Sequence, residues 1–152
     1  MNQWMRRSVC LFFALIASFS ALAADKGTAD EATQLVKKAI ALVKANGVDK
    51  ALAEFNNPKG SFVEKDLYIF VIGKDGTTLA NGVNARLVGV NVLDMKDADG
   101  KFFIKTLMDI GNTKGKGWLE YRWLNQTTKT MDLKSTYVEK VGDLLIACGI
   151  YK

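Results

Sequence analysis

The amino-acid sequence predicts an α+β fold, in which a five-stranded antiparallel sheet has a long N-terminal helix on one face and a crossover of helix and loop on the other. Three observations support this fold class. Apolar residues recur at helical spacing between positions 32 and 43, strand-like runs occupy 67–80 and 117–150, and a long segment without alternation, 81–116, separates those runs. A helix packed across one face of an antiparallel sheet is a stable layered arrangement.

The long helix is predicted from apolar residues spaced three and four apart, which form one face of an amphipathic helix: Ala32, Leu35, Val36, Ala39, Ile40 and Val43. Thr28 with Glu31 forms a capping box at its start, and Asn46-Gly47 is a stop signal. Asp49 is expected to cap a second, shorter helix that ends near Phe55.

The predicted strands fall into a hairpin and a three-stranded meander. Leu67 to Ile72 and Thr77 to Ala80 pair around the turn residues Lys74-Asp75-Gly76. The crossover that follows contains a helix from about Lys101 to Ile110. The meander strands are predicted at 117–124, 131–140 and 143–150, with turns at 125–129 and 141–143.

Residues 1–23 have the pattern of a secretory signal peptide. Arg6 and Arg7 precede an apolar run, and Ala21-Leu22-Ala23 provides small residues at the cleavage site. We expect cleavage after Ala23, leaving 24–152 as one domain in the periplasm or outside the cell. The alternative is an uncleaved anchor, but the apolar run is shorter than the roughly 20 residues that a spanning helix needs. No membrane insertion is expected after cleavage.

Composition argues against several functional classes. The chain has no histidine, which removes the most usual general base and the commonest transition-metal ligand, so we expect no catalytic residues, no metal site, no cofactor and no enzyme activity. The net charge of +5 includes both signal arginines and comes from scattered lysines, which does not favour a nucleic-acid partner. Cys10 lies in the signal, so Cys148 is expected to be a buried small hydrophobe rather than a nucleophile.

The segment Asp97-Ala98-Asp99-Gly100 superficially resembles a calcium-binding loop. In that register the first and last ligand positions would fall on Met95 and Thr106, which lack the carboxylates that calcium requires there. We therefore expect a turn that caps the following helix.

One face of the predicted sheet is rich in aromatic residues. Tyr121 and Trp123 alternate to the same face of their strand, and Tyr68 and Phe70 share one face of theirs. If that face lies under the crossover, these four side chains would line an apolar cavity suited to a small molecule. The open alternative is that they are ordinary core aromatics.

Cations near these aromatics suggest a site for a small anion. Lys134 and Tyr137 are separated by an odd number of positions, so only a strand bulge would direct both into the cavity. Strict alternation turns Arg122 away from Tyr121 and Trp123. An inward lysine needs a countercharge, which a ligand carboxylate could provide, whereas an exposed strand lysine is the alternative for Lys134.

Four segments in this order resemble the single Cache domains of type 2, which are extracytoplasmic sensor domains of bacteria: DLYIFVIGKDGTTLAN, LVGVNVLDMKDADGKFFIK, GKGWLEYRW and KSTYVEKVGDLLIACGIY. The resemblance extends from the long helix to Tyr151. It implies a PAS-like Cache fold and a small-molecule pocket, often for short carboxylic acids, between the sheet and the crossover. It also implies ligand contacts from the blocks 121–123 and 134–137.

The chain departs from the family pattern in two respects. Asn81-Gly82 stands where the family often has His-Pro, which puts a pocket contact there in doubt. Most such domains are part of membrane-spanning receptors, whereas this chain ends at Lys152 without a helix to carry a signal inward, so we expect a freestanding domain.

The leading hypothesis is an exported ligand-binding domain that captures a small organic acid and presents it to a membrane receptor or kinase. Lys134, with Arg122 as a second candidate, would hold the carboxylate. Tyr68, Tyr121 and Tyr137 would donate hydrogen bonds, while Phe70 and Trp123 would pack on the carbon skeleton. The alternative is a periplasmic interaction module that binds no ligand and docks to a signalling or envelope protein.

Overall fold

The structure of the protein is a computed structural model that describes residues 26–152. The predicted signal peptide, 1–23, and Cys10 lie outside the described residues. Within 26–152, no helix has both the length and the apolar character needed to cross a membrane.

The helices begin and end close to the predicted positions. Helix α1 spans Ala29–Asn46 and starts at the predicted capping box, in which the Thr28 side chain accepts a hydrogen bond from the Glu31 backbone and the Glu31 side chain accepts one from the Thr28 backbone. Helix α2 spans Val48–Phe55. The predicted cap by Asp49 is wrong, because Gly47 occupies the N-cap without a side-chain hydrogen bond and Asp49 lies in the first turn.

The third helix, α3, spans Phe103–Lys114, and no side chain caps its N-terminus. The expected cap from the 97–100 loop is therefore wrong. Asp97 instead accepts hydrogen bonds from the backbone N–H groups of Asp99, Lys101 and Arg122, at 3.0, 2.8 and 3.2 Å. Its carboxylate thus ties the loop before α3 to the neighbouring strand. Burial opposes ionisation, but these three donors hold the pKa of Asp97 below its usual value.

The described part of the chain forms a six-stranded antiparallel sheet: β1 Val63–Glu64, β2 Leu67–Gly73, β3 Thr78–Asn81, β4 Lys116–Leu124, β5 Met131–Val141 and β6 Leu144–Tyr151. The order is β1-β2-β6-β5-β4, and β3 also pairs with β2. The prediction of an α+β fold is confirmed, with the short β1 as an additional strand. Ile69 of β2 donates its N–H to Phe62 beside β1 and accepts from Gly82 after β3, so both short strands lie on one edge of β2.

Each face of the sheet covers its own core, as alternation predicts. Leu67, Ile69 and Val71 of β2 pack with α1 and α2. Tyr68 and Phe70 of the same strand face the crossover and pack with α3. Both cores depend on β2, which is buried along its whole length because it lies between two apolar layers. Cys148 is fully buried in the α1 core, as predicted.

Candidate functional site

A cavity of about 30 Å³ lies between the sheet and the crossover. Water occupies a cavity of about 10 to 15 Å³ on this measure, so the space suits a molecule of a few heavy atoms. Its walls come from strands β2, β3 and β4, from α3 and from the segment between β3 and α3: Tyr68, Phe70, Ile72, Thr78, Asn81, Leu87, Val92, Met95, Phe103, Ile104, Tyr121 and Trp123. All four aromatic residues named from the sequence are therefore part of this wall.

The aromatic side chains are held firmly by one another. The Phe103 ring stacks on Tyr121 with centroids 4.3 Å apart, and it lies 5.0 Å from the Trp123 ring. Tyr68 and Phe70 are tilted neighbours at 6.4 Å. Aromatic contacts at these distances restrict ring rotation, so the wall is largely preformed.

Lys134 is the unusual residue of this face, because its side chain is almost completely buried, with 1% exposed. Its ammonium donates a hydrogen bond to Tyr68 Oη at 2.7 Å. The same nitrogen lies 4.1, 4.8 and 5.8 Å from the ring centroids of Tyr68, Tyr151 and Phe70. Among the described residues no carboxylate forms an ion pair with it. The charge is thus held by a hydroxyl and by ring faces.

Lys134 reaches Tyr68 across the sheet, from β5 over β6 to β2, and Gly149 makes this possible. In register, Lys134 pairs with Tyr151 of β6, and Ile69 of β2 pairs with Cys148. A Cβ atom at position 149 would collide with Lys134 Cε and with Thr136 Oγ1. Glycine inside a strand commonly marks such a close approach, and this is the sequence signal that could have located the lysine's path.

The buried hydroxyls near Lys134 remain protonated. Burial raises the pKa of Tyr68 to about 12 and that of Tyr121 to about 12. Tyr121 Oη accepts a hydrogen bond from Thr136 Oγ1 at 3.0 Å, as Tyr68 Oη accepts one from Lys134. Tyr121 therefore keeps its own proton available as a donor, whereas the Tyr68 hydroxyl also contacts the hydroxyl of Tyr151. The lysine does not line the cavity itself, so its charge acts there through Tyr68.

Two polar residues also belong to the wall: Thr78, 2% exposed, which the sequence reasoning did not name, and Asn81, 8% exposed, where it left a pocket contact in doubt. They are three positions apart, which a regular strand would place on opposite faces. The pairing of β2 with β3 shifts between Val71 and Ile72, so that β3 has one extra residue and both side chains reach the cavity. The sequence analysis considered a bulge in β5. The structure has a bulge in β3 instead, and β5 is regular.

The fold agrees with the comparisons to known proteins. Residues 5–152 match the family described as Single Cache domain 2. The chain belongs to this family. Cache domains of this family are sensory and non-catalytic, and the similar solved structures include chemotaxis proteins. No curated protein matches the chain.

Three solved structures are similar to this Cache domain. A methyl-accepting chemotaxis protein from Vibrio parahaemolyticus RIMD 2210633 is 25% identical with a TM-score of 0.67, and the match covers 80% of this chain and 86% of that one. A periplasmic sensor domain of a chemotaxis protein is 17% identical with a TM-score of 0.64, covering 80% and 88%. A Cache chemosensory domain whose structure concerns carboxylic acid recognition is 20% identical with a TM-score of 0.63, covering 78% and 84%.

Two of the residues proposed from the sequence lie away from the cavity of this Cache domain. The Arg122 side chain is half exposed, and its Nε lies 3.5 Å from Asp99 Oδ2. Tyr137 packs in the α1 core, and its hydroxyl donates to Glu139 Oε2 at 2.8 Å. Strand β5 pairs regularly with both neighbours along its described length, so Lys134 and Tyr137 point to opposite faces. The structure therefore brings together Tyr68, Phe70, Tyr121 and Trp123 with Lys134 behind them.

Proposed function

We propose that this protein is an exported Cache-type sensory domain that binds a short carboxylic acid in the cavity between β2, β3, β4 and α3. The observation that carries the proposal is the buried ammonium of Lys134, which has no carboxylate partner among the described residues and contacts the cavity wall at Tyr68. A buried charge is costly unless it is paired, and an anionic ligand supplies the missing charge.

The chemistry of the wall suits a carboxylate with a short carbon skeleton. Tyr68 donates to a carboxylate oxygen while its own oxygen accepts from Lys134, and this arrangement strengthens the phenol as a donor. Tyr121 provides a second protonated phenol. Phe70 and Trp123 supply apolar surface for the carbon chain. The small volume favours short acids over larger ligands.

The similarity in fold to a Cache domain concerned with carboxylic acid recognition is consistent with this ligand class. Binding is tested by differential scanning fluorimetry and calorimetry with acetate, propionate, lactate and pyruvate. A ligand that binds only the folded state raises the melting temperature by mass action. We expect at least one acid to raise it, and the matching neutral amide to have no effect.

Three variants separate a role of the Lys134 charge from a general effect of charge. Lys134→Met removes the ammonium but keeps the length of the side chain, and Tyr68→Phe removes the hydroxyl that links it to the cavity. Both should lose at least about tenfold in affinity, since a charge-assisted hydrogen bond contributes about 1.5 to 3 kcal/mol. Lys116→Met, at an exposed position of β4, should bind as the wild type does. Equal binding in all three would rule out the proposed anchor.

Export and a membrane partner complete the proposal. The signal-like residues 1–23 lead us to expect the mature protein in the periplasm or outside the cell, where it would present the bound acid to a membrane receptor or kinase. Cell fractionation with N-terminal sequencing of the mature chain tests export. Recovery of the intact residues 1–23 from the cytoplasm would contradict it.

A docking module without a ligand remains a second candidate, because large apolar side chains are exposed at one end of the β4–β5 pair. Leu124 and Met131 are 38% and 48% exposed, and they pair with each other across the two strands at that end. Exposed apolar groups that cluster often mark contact surfaces. This function predicts no thermal shift with any acid, together with loss of a cross-linked envelope partner in Leu124→Ser.

A further inference from the structure

The β3 edge of the cavity carries two polar groups that the carboxylate site does not use. Thr78 Oγ1 makes no hydrogen bond to any residue in the described part of the chain, although its backbone pairs with Val90 and Gly89. The same holds for Asn81 Nδ2. Among the described residues only Asp66 Oδ2 is both buried and unpartnered, so the Thr78 and Asn81 groups keep some accessible surface. Both residues belong to the cavity wall, so a ligand in the cavity can reach these groups.

The Asn81 side chain is held through its oxygen, and its amino group makes no hydrogen bond within the described residues. Its Oδ1 accepts hydrogen bonds from the backbone N–H groups of Val83 and Asn84, at 3.2 and 2.9 Å. These two bonds identify the oxygen and the nitrogen of the amide, because only the oxygen can accept. Its backbone N–H donates to Asn56 Oδ1 at 3.0 Å. These three hydrogen bonds fix the position of Asn81 and leave its Nδ2 group as an unused donor.

These groups lie on β3, the strand that pairs directly with the strand of Tyr68, whereas Lys134 belongs to β5. Thr78 pairs with Ile72, and Asn81 pairs with Phe70, at the outer edge of β2. Lys134 approaches Tyr68 from the other side, over β6. Neighbouring strands are about 4.8 Å apart, so Thr78 and Asn81 are one strand spacing from the strand of Tyr68. Phe70 and Ile104 contribute apolar surface to the same wall.

We infer that the ligand carries a second oxygen, and that Thr78 and Asn81 select short hydroxy or oxo acids over simple alkanoic acids. This inference rests on the proposed function, because the carboxylate is assigned to the Tyr68 end. Asn81 Nδ2 donates to a hydroxyl or keto oxygen, and Thr78 Oγ1 donates to a keto oxygen or accepts from a hydroxyl. An alkanoic acid of the same length offers no oxygen to either group and displaces water that could pair with them, which weakens its binding.

The test compares acids of equal carbon number on the wild-type protein by isothermal titration calorimetry. Propionate is measured against lactate, 3-hydroxypropionate and pyruvate. We expect at least one of the three oxygenated acids to bind at least about tenfold more tightly than propionate, which corresponds to one well-made hydrogen bond in a buried site. This comparison requires no variant, so it does not depend on whether a substituted protein folds.

Three variants then assign the preference to these residues. Thr78→Val replaces the hydroxyl by a methyl group of the same shape, and it should lower the affinity for the preferred acid about threefold to tenfold while leaving propionate within about twofold. Thr78→Ser keeps the hydroxyl and should keep the preference. Asn81→Asp keeps the acceptor for Val83 and Asn84 but replaces the donor by a negatively charged acceptor, so it should weaken all four acids and reduce the preference over propionate.

The possible outcomes distinguish this inference from the proposed function. If the acids bind and propionate equals or exceeds the other three, the selection by Thr78 and Asn81 is overturned while the carboxylate site stands. If none of the four acids binds the wild-type protein, the proposed function itself is overturned. A preference for an oxygenated acid that persists in Thr78→Val and in Asn81→Asp would show that other groups read the second oxygen.

Discussion

Replacing Lys134 with methionine should make the ligand-free protein more stable while abolishing acid binding. The ammonium is 1% exposed and has no carboxylate partner among the described residues. Burying an unpaired charge costs several kcal/mol even after the surroundings relax. Methionine has a similar length, so the aliphatic contacts over Gly149 are retained. The variant removes the charge without opening a large cavity.

The magnitude follows from what the ammonium gains in its present position. Its hydrogen bond to Tyr68 Oη, at 2.7 Å, is charge-assisted and contributes about 1.5 to 3 kcal/mol. The nearest ring faces, at 4.1 and 4.8 Å, contribute about 0.5 to 2 kcal/mol. Replacing buried charged groups by apolar side chains of similar volume is often neutral or stabilising by about 1 to 4 kcal/mol, so we expect Lys134→Met to raise the free energy of unfolding by about 1 kcal/mol or more.

Urea denaturation followed by tryptophan fluorescence measures this change, because Trp123 lies in the cavity wall and Trp118 on the opposite face of β4. The same change is also measured in the double variant Tyr68→Phe/Lys134→Met. There the Tyr68 hydroxyl is absent, so it cannot be left without the hydrogen bond that Lys134 donates to it. Lys116→Met is the surface control and should change stability by less than about 0.5 kcal/mol. A loss of more than about 1 kcal/mol in both Lys134 backgrounds would mean that the buried ammonium stabilises the fold, and the argument for a missing countercharge would fail.

Three further predictions concern other parts of the molecule. Gly149→Ala places a methyl group against two side chains of β5 and should lower the free energy of unfolding by about 1 to 3 kcal/mol, measured by the same urea titration; an unchanged midpoint would contradict the crowding at that position. The pKa of Glu31 is lowered to about 2 by its hydrogen bonds to Lys65 and then to Thr28, so stability present above pH ~4.3 should be lost as the pH falls through about 2. Glu31→Gln should flatten that acid limb, and a parallel limb in the variant would refute the assignment. Cys148 is fully buried, and burial raises the pKa of its thiol to about 12, so a disulfide reagent at pH 8 should label it only in denaturant; rapid labelling of the native protein would show that the α1 core opens.

Patterns of short range were predictable because they depend on local geometry. The capping box at Thr28 and the apolar stripe of α1 follow from helical spacing alone. The division of β2 between two cores follows from strand alternation, which also placed Tyr68, Phe70, Tyr121 and Trp123 on the cavity face. Alternation likewise turned Arg122 outward, and the structure shows it paired with Asp99 instead of facing the cavity.

Other features required the neighbouring strands. The register shift between Val71 and Ile72 brings Thr78 and Asn81 to the same face of the sheet. The sequence of β3 contains no signal that predicts this shift. The family resemblance pointed to the block that contains Lys134 and Tyr137, but a regular β5 directs only one of them towards the cavity side. Asp49 and Asp97 had the right residue type for helix caps, yet Gly47 and Phe102 occupy those positions.

By itself the sequence determined the layers of this Cache domain, the aromatic face of its sheet and the burial of its one cysteine after residue 25, because these depend on periodicity and on hydrophobicity. Only the tertiary structure decided how the polar groups meet. Lys134 reaches Tyr68 because β6 lies between their strands and has glycine at position 149. Contacts of that kind depend on strand order and register, which bring residues 66 positions apart into hydrogen-bonding distance.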